Sequence, residues 1–468
     1  MSLQAVPPGP SQDLPPGPGV FTQEQIRCLE EDAIFLPQPQ SLTPHASGKR
    51  KVSAAFSSPR SVSSSSSSSS ASVKTRGFQP SVIQTFDIPM AEESVEVLEF
   101  IGFVADVARL IYDRYLNRPN PAQNPDDLMA YVSGHIGSLK SSRYDNMSHS
   151  EALSQIGLNL QIQEAITDPI FAHVFGTQTL HYWAKNTVEN NYAALLGRQD
   201  LLKSYANQRM THKKKNKRPR LEGGLPQEQG PSQQPAVTAT INMTPRDFQF
   251  PEGHVVMQSD VDILGDHVSL YKGKAHMELK HSDEIINNDG SVNLSPLSTH
   301  PGGDFNWNFS AHYWTPEKET AEEYRKYAAR RCPTVDTCMV HIQIPWSFIH
   351  GLHREELWYS PNWKEYIWTC RKGRRPNQKY DHLWERGQAD VVRGHVCSTT
   401  SGQINRIREE NVQTNINEEN AMRLPSGKKA SQWMFLQNNT IDRLAEEIRG
   451  KMHFTIFEAT ARSPTTTA

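Results

Sequence analysis

The stretch SAHYWTPEKETAEEYRKYA, residues 310–328, decides how the rest of the chain is read. Its first part, Ala311 to Thr315, has the small and aromatic residues of a strand. Pro316 separates it from a helix predicted over Lys318 to Ala329, on which Ala321 and Tyr324 face one way. Tyr313 and Tyr324 are eleven residues apart, so a strand leading straight into a helix brings two phenol rings together as the walls of a slot. A flat heteroaromatic ring between them gains about 0.5–1.5 kcal/mol of offset stacking per aromatic contact. The plainer reading of Tyr313 and Trp314 is core or cross-strand packing.

Around this stretch, from about residue 241 onward, short alternating or β-branched runs predict strands: HVSLYKG (267–273), CMVHIQIPWSF (338–348), YIWTC (366–370), ADVVRGHV (389–396) and SQWMFL (431–436). A second helix is predicted over Thr440 to Arg449, burying Ile441, Leu444, Ala445 and Ile448. The spacing of the runs does not suit regular βαβ crossovers, so residues 240–460 are expected to form an α+β domain with a mixed or antiparallel sheet. Within it, Leu270-Tyr271-Lys272-Gly273 is a strand ending at a glycine, where a ligand gains close access to the backbone or the chain simply turns. Gln432 opens the late strand QWMFL.

That ordered triplet resembles the ADP-ribosyltransferase fold. In that family a strand ending in His-Gly or Arg-Gly, a tyrosine strand followed by a helix, and a late strand bearing a glutamate grip NAD. The resemblance spans about 240–460 and is carried best by residues 310–328, with GQADVVRGHV (387–396) similar to a strand of some members. It implies that Tyr313 and Tyr324 sandwich the nicotinamide, that Ala321 lies beside them, and that the Gly273 backbone holds the carboxamide. Lys272 stands where the family has His or Arg, and Gln432 where many members have Glu; both are expected to contact the ribose. An amide brings no full negative charge to an oxocarbenium-like transition state, so activity is left open. Glu409, Glu410, Glu418 and Glu419 are nearby carboxylates that fit a solvated loop face better than a substitute role.

Ahead of this domain, residues 81–206 predict an all-α helical module. Val104, Val107, Ala108, Ile111 and Tyr115 recur at helical spacing, and three helices are expected over 95–101, 105–116 and 126–136, the last entered through Asn124 and Pro125. Phe171, Val174 and Phe175 fall on a further helix, and Trp183, Val188, Leu195 and Leu196 on another. The Ile101-Gly102-Phe103 turn faintly resembles ubiquitin-associated domains, which implies ubiquitin as a partner of residues 94–137; a three-helix bundle needs no such partner.

Composition divides the rest. Of 468 residues 36% are hydrophobic, and 11 of the 31 prolines precede residue 81, beside a serine run from Ser63 to Ser70. Residues 1–80 are therefore expected to be disordered, as are a basic linker over 207–239 and a tail over 461–468. A net charge of -2 removes whole-chain attraction to nucleic acid. Two local basic runs, Lys49-Arg50-Lys51 and Lys213 to Arg220, suit either an import receptor's acidic groove, hence a nuclear location, or a solvated linker. Five dispersed cysteines give no disulfide framework, and His350, His353, Cys332 and Cys338 match no common zinc spacing, so no metal is expected. No apolar stretch is long enough to span a bilayer.

The resulting expectation is a multidomain chain that transfers a single ADP-ribose from NAD to a protein or nucleic-acid acceptor. The alternative is a non-catalytic scaffold, in which an inactive NAD- or ADP-ribose-binding domain is joined to a ubiquitin- or protein-binding helical module.

Overall fold

The computed structural model describes residues 19–36, 48–53, 85–119, 126–144, 146–216, 263–279, 285–287, 290–457 and 459. The helical half comprises α1 (Gln23–Glu31), the antiparallel pair β1 (Lys49–Ser53) and β2 (Thr85–Pro89), and then α2 (Val95–Ile101), α3 (Ala105–Leu116), α4 (Leu128–Gly137), α5 (His149–Gln155), α6 (Leu160–Ile166), α7 (Ala172–Phe175) and α8 (Leu180–Asn216). The first two predicted helices are met residue for residue. Ser94 caps α2 by accepting from Val97 N, and Gly102 ends it at φ 123, a conformation that favours glycine. The cap of α4 is Asp127, whose side chain accepts from Ala130 N; Asn124 and Pro125 lie outside the described residues.

Two elements fall inside the stretch expected to be disordered. Thr22 and Gln25 form a capping box on α1, which buries Cys28 and Leu29. The Lys49-Arg50-Lys51 run is part of β1, where each cation has an acidic partner: Lys49 with Glu99, Arg50 with Glu30 at 2.8 Å and Lys51 with Asp87 at 3.2 Å. This run is therefore a paired strand with its cations in ion pairs, where a disordered segment was expected. Helix α8 likewise continues ten residues past the expected boundary at 206, to Asn216, and includes Lys213 to Lys215 in its last turn.

The C-terminal half adds β3 (His267–Ala275), β4 (His312–Trp314), α9 (Lys318–Arg331), β5 (Thr337–Pro345), α10 (Trp346–His350), β6 (Arg354–Leu357), α11 (Pro361–Arg371), β7 (Val391–His395), α12 (Ser401–Arg406), α13 (Val412–Asn415), β8 (Ser431–Phe435), α14 (Asn438–Glu447) and β9 (Met452–Phe457). Strands β3, β5 and β9 form one antiparallel sheet. A second runs β4-β8-β7-β6, antiparallel except for the β6–β7 pair. Tyr271 and Thr315 bridge the two sheets. The mixed α+β character expected for this half is thus present. The run YIWTC is helical, lying inside α11, and the WSF of 346–348 opens α10.

Three cores account for most of the packing. One, between the two sheets, holds Trp314, Trp433 and Phe435 with Leu270, Val340 and Ile342. The opposite face of the four-stranded sheet, with Val392 and Met434, meets α11 through Trp363, Tyr366 and Ile367. The third core fills the helical half and also takes in Tyr327, Val396, Met422, Leu424 and Ala430 from the C-terminal half. The two halves therefore share an interior. Polar ties along the seam include Tyr327 Oη to Ile166 O at 2.7 Å, Arg330 to Asp168 at 2.7 Å and Arg198 to Thr334 O at 2.8 Å. Two glycines bring backbone against backbone. A Cβ on Gly176 would lie 1.6 Å from Ser398 O, and one on Gly273 would lie 1.9 Å from Ala321 O.

The Ile101-Gly102-Phe103 turn is an inward-facing part of the third core. Ile101 and Phe103 are buried, Phe103 bridges Leu158, and Ile162 covers the Cα of Gly102. The triplet is thus covered by the chain's own Leu158, Asn159 and Ile162.

Candidate functional site

Alternation along β4 and β8 decides which side chains meet. Tyr313 pairs with Met434, so Tyr313, Met434 and Gln432 share the face that packs toward α11, while Trp314 and Trp433 share the other. Gln432 is buried and its amide donates to Asp304 Oδ2 at 2.8 Å and to His395 O at 3.2 Å. Asp304, in the loop before β4, also accepts from Cys397 N at 2.8 Å and from the Nε of Arg371 at 2.7 Å. Arg371, the last residue of α11, donates in turn to Cys397 O at 2.7 Å, to Thr399 O and to Gly176 O at 2.8 Å. Side chains of both partners are almost wholly inaccessible, 0% exposed for Arg371 and 4% for Asp304. This pair tolerates burial because nearly every donor and acceptor it carries is used.

Next to Asp304, Phe305 and Asn306 occupy the space beside Tyr313. The Tyr313 hydroxyl accepts from Phe305 N at 2.8 Å and donates to Asn306 Oδ1 at 3.0 Å, and the Phe305 and Tyr313 rings lie 6.3 Å apart at 36°. Phe305 is fully buried; Tyr366 donates to its carbonyl at 3.3 Å, and the bare Cα of Gly394 admits its ring. Burial first, and then the Asp304 carboxylate, push the Tyr313 phenol well above its ordinary pKa.

Tyr324 borders the helical core, and its phenol too is pushed up by burial, with Asp304 a further cause. Tyr313 packs on the core against α11 and Tyr324 on the helical core, so the two expected slot walls lie in separate interiors; only Tyr313 and Gln432 are brought to one face, beside Asp304. Lys272 and Gly273 are not. Lys272 lies on the other side of β4, with its ammonium 5.8 Å over the Trp314 ring and donating to Leu297 O at 2.5 Å; burial and the Lys274 charge push its pKa well down. Gly273 does serve a close backbone approach, and what approaches is the Ala321 carbonyl of α9. Ala321 is buried by that contact rather than placed to line a slot.

These placements do not fit a dinucleotide as the resemblance would have it gripped. The expected cradle at Gly273 is filled by helix backbone, and the Gln432 amide nitrogen and the Tyr313 hydroxyl are engaged within the chain. Residues 409–411 and 418–420, where four glutamates stood as substitutes, form exposed single turns, with Glu418 held by Lys429 at 2.6 Å. Among the described residues no group of three or more His, Cys, Asp or Glu is arranged to hold a metal, and no helix is long and apolar enough to cross a membrane. All five cysteines are buried and in no disulfide, with Cys332 and Cys338 each pushed up to about 12 by burial.

Asp304, Phe305, Asn306 and Arg371 were not singled out in the sequence. DFNWNF gives no periodic signal, and the one hint was an arginine ending an otherwise apolar helical face. No family model matches the chain, and comparisons with curated proteins and with solved structures also return no match.

Proposed function

We propose that the chain is a non-catalytic interaction protein, built on an ADP-ribosyltransferase-like unit whose nicotinamide slot is filled by the chain's own Asp304-Phe305-Asn306 turn. The carrying observation is the 2.8 Å contact from the Gln432 amide to the Asp304 carboxylate, itself neutralised by Arg371. Where a transferase needs a carboxylate free to stabilise a developing cation, this position holds an amide already bound to a spent anion. The Phe305 ring packs beside Tyr313, and the Gly176 carbonyl of the helical half accepts from Arg371 in the same cluster. Support for the ADP-ribosyltransferase likeness comes from the order β3, β4 with α9, then β8, which puts Tyr313 and Gln432 on one face. A nuclear place of action is proposed on the run from Lys213 to Arg220 alone.

The test is titration of the full chain with NAD and incubation with tagged NAD across a broad acceptor set. The expected result is no rise in melting temperature and no label. Labelling that is lost in Tyr313→Ala would instead establish single ADP-ribose transfer from NAD to a protein or nucleic-acid acceptor, and stabilisation without labelling would make the unit an NAD reader.

A further inference from the structure

At the end of α11 the charge balance departs from that of the chain. Residues 371–386, RKGRRPNQKYDHLWER, carry six Arg or Lys against two acids, where the whole chain has a net charge of -2. Arg371 is neutralised by Asp304, Arg375 by Asp381 and Glu385, and Lys379 by Glu365. Lys372 and Arg374 are held in another way. Lys372 donates to Ile407 O at 3.0 Å and lies 4.3 Å over the Trp368 ring, and the Arg374 guanidinium lies 6.0 Å over the same ring. Trp368 also donates to Ile407 O, at 2.9 Å, which sets Arg406 and Arg408, on either side of Ile407, next to this pair. Arg374, Arg406 and Arg408 are exposed, and none of these four cations has an ion pair among the described residues. A ring or a carbonyl positions a cation without cancelling its charge, whereas a carboxylate does both. Burial first, and then the Arg374 charge, push the Lys372 pKa down, with Glu409 opposing them. Glu409 and Glu410, in the turn that follows Arg408, leave positive charge in excess.

From Arg374 the chain continues to Arg375, whose guanidinium lies 5.0 Å over Trp384. Trp384 in turn meets Trp307 edge to face, with centroids 5.7 Å apart at 85°, and both indoles are only half-buried. Cations without counter-ions beside partly open aromatic faces suit a phosphate backbone whose bases are unstacked.

We infer that this surface binds single-stranded nucleic acid, with Lys372, Arg374, Arg406 and Arg408 taking up backbone phosphates and the Trp307–Trp384 pair receiving a base. A duplex keeps its bases stacked, and an acidic peptide satisfies the cations but leaves the indoles unused. The surface is separate from the interior of the Asp304 cluster, so the outcome of an NAD titration has no bearing on it.

The experiment follows the fluorescence anisotropy of labelled oligo(dT) and oligo(U) of about 20 nucleotides on the full chain, over about 50–200 mM salt. The expected result is a Kd of about 1–100 µM at physiological salt, with log K falling against log[salt] at a slope of about -3, the value for four phosphate contacts on a single strand. Arg374→Glu with Arg408→Glu should weaken binding about tenfold or more and reduce the steepness of that slope by about 1.4. The equally charged control Arg27→Glu with Arg109→Glu, on exposed faces of α1 and α3, should change neither. Ultraviolet cross-linking of the unaltered chain, which needs no variant to fold, should map to residues 371–386, to 404–410 or to Trp307. No binding at the lowest salt overturns the assignment. So do cross-links confined to other residues, and binding undiminished in a folded Arg374→Glu, Arg408→Glu chain, which point instead to the run from Lys213 to Arg220. Polyglutamate binding as tight as that of the oligonucleotides makes this a protein-docking surface and overturns it too.

Discussion

The Asp304 carboxylate and the Arg371 guanidinium, 67 residues apart in the chain, meet with an Nε–Oδ1 distance of 2.7 Å where the loop before β4, the end of α11 and the turn after α7 converge. The pair joins both halves of the molecule. Its desolvation is offset only while both charges and their hydrogen bonds are in place, so it is most sensitive to loss of one member.

Asp304→Asn keeps the shape and leaves the Arg371 charge buried without its counter-ion. Loss of one partner of such a pair costs about 3–5 kcal/mol, and urea unfolding of the variant should show a loss of this size. A change below about 1 kcal/mol would mean that the pair behaves like a surface contact.

Gln432→Glu sets a second carboxyl beside the Asp304 carboxylate, so one of the two must hold its proton to stay folded. Its folded-state pKa is then raised above the unfolded value, and native stability, present at acid pH, is lost as pH rises through the folded value. The variant should be clearly less stable than the parent at pH 7 and close much of that gap toward pH 5, in denaturation series run across that range. A pH-independent deficit would contradict the shared site.

Gly273→Ala and Gly176→Ala test the two backbone approaches. Each methyl meets a carbonyl oxygen, at 1.9 Å and 1.6 Å respectively, and neither neighbour is a flexible side-chain end. Both should cost at least about 2 kcal/mol. Because Gly176 lies on the seam, its variant should also split a single thermal transition into two, seen by calorimetry.

His341 lies stacked on Tyr271, with ring centroids 4.6 Å apart at 15°, and beside His453 at 5.5 Å. Burial first, then the charges of His453 and Lys318, lower its pKa from 6.5 to about 4. A neutral buried histidine gives stability that is complete above the unfolded value and is lost as pH falls from about 6.5 toward 4. His341→Phe removes that proton uptake, so its stability should fall less steeply over this window, by up to about 1.4 kcal/mol per pH unit.

Much of the fold was legible in residues whose burial follows one period. Ala108, Ile111 and Tyr115 sit buried on one face of α3 as their spacing predicts, while Val104, read on the same face, is its exposed N-cap, and the runs at 431–436 and 389–396 are strands. YIWTC failed because Tyr366, Ile367, Trp368 and Cys370 are all buried, so β-branched and aromatic content outweighed the helix signals at Ser360 and Pro361. β1 failed for the opposite reason: KRKVS shows mainly charge, and only its pairing with residues 85–89 and its acidic partners make it a strand. At the site, the face shared by Tyr313 and Gln432 follows from their strands, whereas Tyr324 packs on the helical core. The Asp304 turn was not legible, since a loop's destination is set by contacts with Arg371, Cys397 and Gln432 that no local pattern announces.

The shared third core has a practical corollary. Tyr327, Val396, Met422, Leu424 and Ala430 lie against the helices of residues 95–206, so a polypeptide starting near residue 240 would begin life with a greasy flank and clump. A protease cut between residues 216 and 263, by contrast, should leave two fragments that travel through a sizing column as a single particle.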